Sequence, residues 1–168
     1  DSIIADAKDG DMGGGVFAPG SILDNPEKPK PYQAYLQAMR EMTDSGLIDI
    51  MLMSASSAEI LTDEKIFQNS AVIPAVRYND TTDVWGQRHS NYKKFPSRNF
   101  RTAHLGSVSK FIDLGLYSIT FSNNLETDVE SLWGFRTFLE DLANHDLRYF
   151  LEVFNPQIDI GIPEEQIP

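Results

Sequence analysis

Apolar residues cluster in five short runs along the chain, with polar or helix-like stretches between them. The runs cover residues 3–5, 48–53, 71–76, 114–121 and 149–154. Short runs that are apolar almost throughout are typical of strands that are covered on both faces of a sheet. Pro74 interrupts the third run and would remove one hydrogen-bond donor from an internal strand. The pattern therefore predicts five strands, of which the third is the least regular.

Between the first and second runs, apolar residues recur with the three- and four-residue spacing of an amphipathic helix. The spacing covers residues 32–42, where tyrosines, a leucine and methionines share one face. Pro31 suits the first position of this helix, because its N–H would be unpaired there in any case. Gly46 suits the end, because glycine adopts the left-handed conformation freely. We expect the aromatic and methionine side chains to pack in the core.

Further helices are predicted after the second and fourth runs. Ser56 or Ser57 can cap a short helix, and a second helical piece is expected around residues 66–67. Thr127 and Glu130 match a capping box ahead of a strongly amphipathic stretch. Repeated strand and helix units of this kind predict a parallel sheet in an α/β domain.

Charged residues and glycines follow the first run. Asp6, Lys8, Asp9 and Asp11 come directly after it, and three glycines stand at residues 13–15. The carboxyl ends of parallel strands form the edge where α/β proteins build their sites, and glycine lets the backbone come close to a ligand. The cluster therefore predicts a site at this edge, with a solvated loop as the alternative.

Polar residues at the ends of the other runs complete the predicted site. Arg77 offers a fork of donors for a carboxylate or phosphate, and Asp80 can orient it or bind a substrate hydroxyl; a structural Arg–Asp pair is the alternative. Glu152 is the one charge in an apolar run, which is costly unless the charge is paired or functional. For the serines that follow the second run, helix capping is the favoured alternative. The predicted substrate-binding residues are Ser54, Arg77, Asp80, Ser122, Glu152 and Asn155.

A long connection rich in basic and aromatic residues covers positions 84–107. A connection of this length in a compact domain is usually functional or disordered, and we predict a lid over the edge of the sheet. The same composition also suits single-stranded nucleic acid. His89 and His104 lack the spacing of metal ligands.

Length and charge narrow the classes of function. The 168 residues are enough for a single α/β domain, residues 1–168, with its own core. The formal net charge of −11 argues against nucleic-acid binding, and it means that an anionic small-molecule substrate must be met by locally placed cations. No apolar run is long enough for a membrane span, cysteine is absent, and no secretory leader is expected. We therefore predict a cytoplasmic protein without a membrane partner; formation of a homo-oligomer stays open.

Four segments together resemble the class I aldolases of the deoxyribose-phosphate, archaeal-type fructose-bisphosphate and tagatose-bisphosphate group. They are ADAKDGD at residues 5–11, DIMLMSAS at 49–56, VIPAVRYNDTTD at 72–83 and, more loosely, EVFNP at 152–156. The resemblance implies a TIM (β/α)8 barrel, which needs about 250 residues. The chain would then hold the first five strands, as the N-terminal part of a larger barrel. A five-stranded doubly wound sheet is the alternative.

The same resemblance implies a Schiff base between a lysine and the substrate carbonyl, assisted by an aspartate at the end of the first strand. That aspartate corresponds to Asp6, with Asp9 next. The family's lysine lies on the sixth strand and its phosphate site on the seventh and eighth loops, beyond the five predicted strands. Lys8 is the only lysine at a predicted strand end. It is either a candidate nucleophile or, as we favour, an electrostatic partner of Asp6 or Asp9.

The resemblance therefore implies a lyase of carbohydrate metabolism that cleaves or forms the aldol bond of a small, phosphorylated hydroxy-carbonyl compound without a cofactor. Asp6, Lys8 and Asp9 are the predicted catalytic residues. One alternative is a Mg²⁺ or Mn²⁺ ion, held by Asp6, Asp9, Asp80 and Glu152, that stabilises an enolate. The other is a barrel that binds sugar phosphates without turnover.

Overall fold

Five parallel strands form the main sheet of the protein, and helices connect most of them. The computed structural model describes residues 2–13, 31–82, 96–155 and 158–166. The strands are β1 (Ala5–Lys8), β2 (Ile50–Met53), β3 (Ile73–Arg77), β4 (Asp80–Thr81), β5 (Asn99–Phe100), β6 (Leu114–Thr120) and β7 (Arg148–Phe154). The α-helices are α1 (Tyr32–Ser45), α2 (Ala55–Asp63), α3 (Leu105–Val108) and α4 (Leu125–Leu142), and 3-10 turns cover Gly10–Gly13 and Glu164–Gln166.

The strands of the main sheet follow one another in chain order. The order is β1-β2-β3-β6-β7 with every neighbouring pair parallel, and the sheet curls into a half-barrel. β4 and β5 pair separately as a short antiparallel ribbon. A doubly wound sheet reverses its strand order partway so that helices cover both faces. No such reversal occurs among the described strands, so the doubly wound alternative is wrong and the predicted parallel α/β sheet is confirmed.

One face of the sheet is covered by the helices and carries the main core. Met51, Met53, Val76, Tyr117 and Ile119 point from the strands into this layer. They pack against buried residues of all four helices, namely Tyr35, Leu36, Met39, Ala58, Leu61, Leu105, Val108, Phe138 and Leu142. The predicted packing of the tyrosine and methionines of α1 is therefore confirmed for Tyr35 and Met39.

The opposite face, which we call the concave face, carries a smaller apolar cluster. Leu52, Ala75 and Leu116 are buried there, with Ile50, Leu114 and Phe150 packed around them. Since successive side chains of a strand point to opposite faces, the register fixes which residues continue this face toward the carboxyl edge. They lie two or four residues beyond Leu52 on β2, Ala75 on β3, Leu116 on β6 and Phe150 on β7.

Tyr78 packs closely against β6, and a glycine makes room for it. A Cβ on Gly115 would lie 2.4 Å from the Tyr78 ring and 2.5 Å from the carbonyl oxygen of Val76. The Tyr78 hydroxyl donates to the carbonyl oxygen of Arg148 at 3.1 Å, and its ring lies 5.5 Å from that of Phe138. β3, β6, β7 and α4 are thus joined around one aromatic side chain.

The predicted end of α1 at Gly46 is confirmed, and its start is displaced by one residue. Pro31, predicted at the first helical position, is the N-cap, and Gly46 ends the helix at φ 64°, with its N–H bonded to the carbonyl oxygen of Thr43. The caps of the other helices were predicted at the wrong residues. Ser54 caps α2 by accepting from the N–H of Ser57, and Asn124 caps α4 by accepting from the N–H of Thr127.

In both cases the cap lies two or three residues before the predicted one, because the residue that was predicted as the cap supplies the N–H instead. Residues 64–69, where a second helical piece was expected, form turns. Because Asn124 is its cap, α4 begins at Leu125, before the residue that was predicted as its cap, Thr127.

Two strands are displaced along the chain relative to the apolar runs. Ile3 and Ile4 are 73% and 57% exposed and precede β1, which instead takes in Asp6 and Lys8. β3 extends to Arg77, and its ladder to β6 begins only at Val76, beyond Pro74. Charged residues that were expected to follow these strands therefore lie inside them.

No helix in the described parts of the chain is both long and apolar enough to cross a lipid bilayer.

Candidate functional site

Arg77 lies at the carboxyl end of β3 on the concave face, two residues beyond Ala75. Arg77 is only 5% exposed to solvent. A buried guanidinium must find acceptors within the protein, because the cost of removing its charge from water is otherwise large. The partners of Arg77 therefore define the site.

The three guanidinium nitrogens of Arg77 contact three different strands or strand ends. Nε donates to Oδ2 of Asp9, which follows β1, in an ion pair. Nη1 donates to Oγ of Ser118 on β6 at 2.8 Å. Nη2 lies 3.7 Å from Oε2 of Glu152 on β7. One side chain thus joins β1, β3, β6 and β7 at the carboxyl edge of the sheet.

Ser118 connects the guanidinium to Glu152. Ser118 and Glu152 are direct neighbours in the β6–β7 register, two residues beyond the apolar pair Leu116 and Phe150. The Ser118 hydroxyl accepts from Arg77 and donates to Oε2 of Glu152 at 3.2 Å. Since a hydroxyl has a single O–H to donate, both of its roles are fixed by these two charges.

The amide of Asn79 holds the backbone of Ser118. Asn79 follows β3 and is fully buried. Its Oδ1 accepts from the N–H of Ser118 at 2.7 Å, and its Nδ2 donates to the carbonyl oxygen of Ser118 at 2.8 Å. Nδ2 of Asn99, on β5, reaches the same carbonyl oxygen at 3.2 Å. The amide replaces the strand ladder where β3 ends, and it fixes the direction of the Ser118 hydroxyl.

Asp80 is a third carboxylate near this edge. It lies on β4, is 2% exposed and accepts a hydrogen bond from the Thr102 hydroxyl at 2.7 Å. Burial raises the pKa of Asp80, against the opposing effects of the Thr102 hydrogen bond and the Arg77 charge, while the negative charge of Asp9 raises it further. The alternative prediction, a direct ion pair between Arg77 and Asp80, is wrong for the described residues, because Arg77 pairs with Asp9 and Glu152.

Asp6 and Lys8 lie on the opposite, helix-covered face of β1. Asp6 is in register with Met51, and Lys8 with Met53, both of which belong to the main core. Nζ of Lys8 donates to both carboxylate oxygens of Asp6, at 2.8 and 2.7 Å. The predicted electrostatic partnership of Lys8 with Asp6 is therefore confirmed.

The structure does not bring Asp6 or Lys8 to Arg77. Lys8 lines a cavity of about 250 Å³ with Ala38, Met42 and Leu47, beside α1. The expectation that Asp6, Arg77 and Glu152 meet at one edge is met by Arg77 and Glu152, and Asp9 takes the place of Asp6. The physical reason is the alternation of side chains along β1, which sends positions 6 and 8 to one face and position 9 to the other.

The side chain of Ser54 makes hydrogen bonds within the protein at the start of α2. Its hydroxyl donates to Oδ2 of Asp11 at 2.6 Å, and the hydroxyl of Ser57 donates to the same oxygen at 2.9 Å. The Tyr32 hydroxyl lies 3.0 Å from that of Ser57. A carboxylate thus sits at the helix N-terminus, where the backbone N–H groups and the helix dipole favour negative charge. Helix capping, the favoured interpretation of the serine cluster, is therefore confirmed, although the cap is Ser54 and not Ser56 or Ser57. The role of Ser54 in substrate binding stays a prediction.

Ser122 has a comparable place at the start of α4. Its backbone N–H donates to Oδ1 of Asp128 at 2.8 Å, and its hydroxyl donates to the same oxygen at 3.3 Å. Asn155 follows β7 directly and is exposed. Neither residue is in a hydrogen bond with Arg77, Asp9 or Glu152 in the described parts of the chain, so their substrate-binding roles stay predictions.

The predicted lid lies mainly outside the described residues, which omit positions 83–95. The described end of this connection packs on the carboxyl edge. β5 pairs with β4, Asn99 bonds to Asn79 at 2.8 Å and Thr102 bonds to Asp80.

The metal alternative lacks a set of ligands in residues 2–13, 31–82, 96–155 and 158–166. No group of three or more histidine or carboxylate side chains there is placed to hold a metal ion. Asp6, one of the four proposed ligands, faces the helices, and Asp9 is paired with Arg77.

Sequence reasoning missed Ser118, Asn79 and Asn99. Ser118 is one of three hydroxyl residues in the apolar run of β6, with Tyr117 and Thr120, so the sequence does not single it out. Its place beside Glu152 follows only from the β6–β7 register. The two asparagines carry no signal either, because asparagine after a strand is ordinary turn chemistry.

Comparison with known proteins gives no relative: no family model, no curated protein and no solved structure matches the chain. The resemblance to class I aldolases therefore stays a prediction.

Proposed function

We propose that this chain supplies the substrate-orienting and proton-transferring part of an aldolase-type lyase that acts on a small hydroxy-carbonyl compound. The observation that carries the proposal is the buried Arg77, which joins Asp9, Ser118 and Glu152 across the carboxyl edge of an all-parallel half-barrel. In α/β folds with parallel strands, this edge is where catalytic residues gather.

The chemistry of an aldol cleavage matches the groups at this edge. An imine forms between a lysine amine and the substrate carbonyl, with loss of water. A base then takes the proton of the β-hydroxyl, the carbon–carbon bond breaks, and its electrons move into the protonated imine to give an enamine and a free aldehyde. A proton returns to the enamine carbon, and water releases the product.

Within the chain, the carboxylates are suited to the proton transfers. Glu152 is 39% exposed on its side chain and can exchange protons with solvent, while Ser118 holds one of its oxygens in place. The raised pKa of Asp80 favours its protonated form more than that of an ordinary aspartate, which suits an acid. Arg77 would orient the carbonyl or hydroxyl oxygen.

The proposal places the Schiff-base lysine on a strand that follows β7 in a closed barrel. Lys8 does not fit that role, because it is paired with Asp6 on the helix-covered face. A phosphate group on the substrate would be bound by later loops of the barrel, as the resemblance to class I aldolases implies.

Borohydride trapping tests the proposal. The full-length protein that contains these residues is incubated with dihydroxyacetone or its phosphate and then reduced with borohydride. Intact-mass spectrometry measures the mass of the product. We expect a stable adduct on a single lysine, and loss of the cleavage activity in proportion to the adduct. Glu140→Gln, an exposed glutamate paired with Arg136, is the matched control for Glu152→Gln, which should lose most of the turnover.

Three results would contradict the proposal in different ways. Turnover that EDTA abolishes, without an adduct, would favour the metal-dependent enolate chemistry. Binding of sugar phosphates without turnover would favour a non-catalytic barrel. Equal activity of Glu152→Gln and Glu140→Gln would remove Glu152 from the mechanism.

A further inference from the structure

The charges around Arg77 do not balance. Asp9 and Glu152 both contact the guanidinium, and Asp80 is close enough for its pKa to respond to Arg77 and Asp9. Arg77 is the only cation that pairs with Asp9 or Glu152 in the described parts of the chain. Lys8 does not offset these charges, because its ammonium group is paired with Asp6 on the other face.

Carboxylates also flank the guanidinium of Arg77. Nε and Nη1 donate to Asp9 and Ser118, and Nη2 lies 3.7 Å from Oε2 of Glu152. Tight binding of a phosphate or carboxylate by arginine uses two parallel N–H groups. Two hydrogen bonds leave N–H groups on Nη1 and Nη2 for a ligand oxygen, but an anion that accepts from them would lie next to the carboxylates of Asp9 and Glu152, which like-charge repulsion opposes.

The carboxylates of the site can also accept hydrogen bonds from a ligand. Oδ1 of Asp9 and Oε1 of Glu152 accept no hydrogen bond from the described residues, whereas their partner oxygens do. Carboxylate oxygens only accept, so they call for O–H or N–H donors on a ligand. A compound with neighbouring hydroxyl groups supplies such donors without adding negative charge.

We infer that the part of the substrate that contacts Arg77 is an uncharged polyhydroxy or hydroxy-carbonyl group, and that Arg77 is not a phosphate anchor. This inference rests on the proposed function, since it describes how the same site selects its substrate. It replaces the expectation that Arg77 meets an anion. The hydroxyl groups donate to Asp9 and Glu152, and a carbonyl or hydroxyl oxygen accepts from Arg77.

The test compares a neutral probe with an anionic one at Arg77 itself. The same full-length protein is labelled with nitrogen-15, and the Nε–Hε signal of Arg77, assigned with Arg77→Lys, is followed while dihydroxyacetone or inorganic phosphate is added at equal ionic strength. We expect dihydroxyacetone to shift this signal in a saturable way, and phosphate to bind there at least about tenfold more weakly. In Glu152→Gln, which removes one negative charge, the response to phosphate should increase, while in the control Glu140→Gln it should not.

The failure of this inference is distinguishable from failure of the proposed function. A phosphate response at Arg77 that equals or exceeds the dihydroxyacetone response would overturn the inference, yet leave the borohydride result untouched. If neither probe moves the Arg77 signal, the inference fails together with the binding role of this edge. Failure to trap an imine while dihydroxyacetone still binds at Arg77 would count against the lyase alone.

Discussion

Two ion pairs, one on β1 and one directly after it, have different surroundings. Lys8 and Asp6 are two residues apart on β1, lie against the helices and retain side-chain exposures of 22% and 19%. Asp9 and Arg77 are 68 residues apart and join β1 to β3 across β2, with Arg77 almost wholly buried. Lys8 donates to both carboxylate oxygens of Asp6, whereas the pair of Asp9 and Arg77 is connected through Ser118 to Glu152.

The difference shows how a shift of one residue along a strand changes the role of a charge. A partly exposed pair within one strand gains little, because water screens it and two long side chains lose freedom. A buried guanidinium between strands cannot lose a partner cheaply, because the remaining charge stays out of water. We therefore expect substitutions in the two pairs to have different consequences.

Removal of the Arg77 charge should have the largest effect. Arg77→Met leaves Asp9 and Ser118 without their donor, and we expect the free energy of unfolding to fall by about 3–5 kcal/mol. Urea denaturation measures it. The control Arg136→Met, at an exposed pair on α4, should change stability by less than about 0.5 kcal/mol. Similar losses in the two variants would mean that the Arg77 pairs contribute no more than a surface pair.

Removal of the Asn79 amide should have the next largest effect. Asn79→Ala leaves the buried N–H of Ser118 without its acceptor, and an unsatisfied buried group costs about 1–3 kcal/mol. Asn99→Ala should cost less, because the carbonyl oxygen of Ser118 keeps its bond from Asn79. Urea midpoints of the two variants give the comparison. A larger loss for Asn99→Ala would show that the strand end is held from β5 instead.

Asp80→Asn should alter the pH dependence of stability. Burial raises the pKa of Asp80 in the folded state, so its ionisation disfavours folding. Below the ordinary aspartate value of 3.8 the carboxyl is neutral in both states and no penalty exists. As the pH rises through the raised pKa, the wild-type protein loses stability that the variant keeps.

We therefore expect Asp80→Asn to be more stable than the wild type at neutral pH, with the difference disappearing in acid. Thermal unfolding of both proteins across this pH range measures the difference. A variant that is less stable at neutral pH would show that the charge of Asp80 is favourably paired.

Loss of the Lys8 charge should have the smallest effect. Lys8→Met removes a partly exposed pair, and we expect a change of about 0–1 kcal/mol in the free energy of unfolding. Binding of dihydroxyacetone at Arg77 should be unaltered, because Lys8 faces the helices. A clear loss of binding would return Lys8 to the site.

The fold was largely predictable because the apolar runs of β2, β6 and β7 mark strands that are covered by other layers. α1 was predictable for a similar reason, since Pro31 and Gly46 mark its ends by backbone chemistry alone. β1 was harder: Ala5 and Ala7 are too small to indicate which face is buried, so the charges at 6, 8 and 9 could not be divided between faces.

The site was predictable only in part. Arg77, Asp80 and Glu152 were found because charges at the ends of apolar runs are conspicuous. Ser118 and Asn79 were not, because their importance depends on the β3–β6 register, which places an amide beside a backbone 39 residues away. Spatial neighbours of this kind leave no local pattern in a sequence.

One measurement separates the two ion pairs most directly. Asp9→Asn and Asp6→Asn each replace one carboxylate of the wild-type protein by an amide. Dihydroxyacetone binding to both variants can be followed at the Arg77 Nε–Hε signal. We predict that Asp9→Asn weakens binding about tenfold, because a hydroxyl loses its charged acceptor, and that Asp6→Asn binds like the wild type. Equal weakening in the two variants, or a larger loss in Asp6→Asn, would contradict the assignment of the site to the concave face.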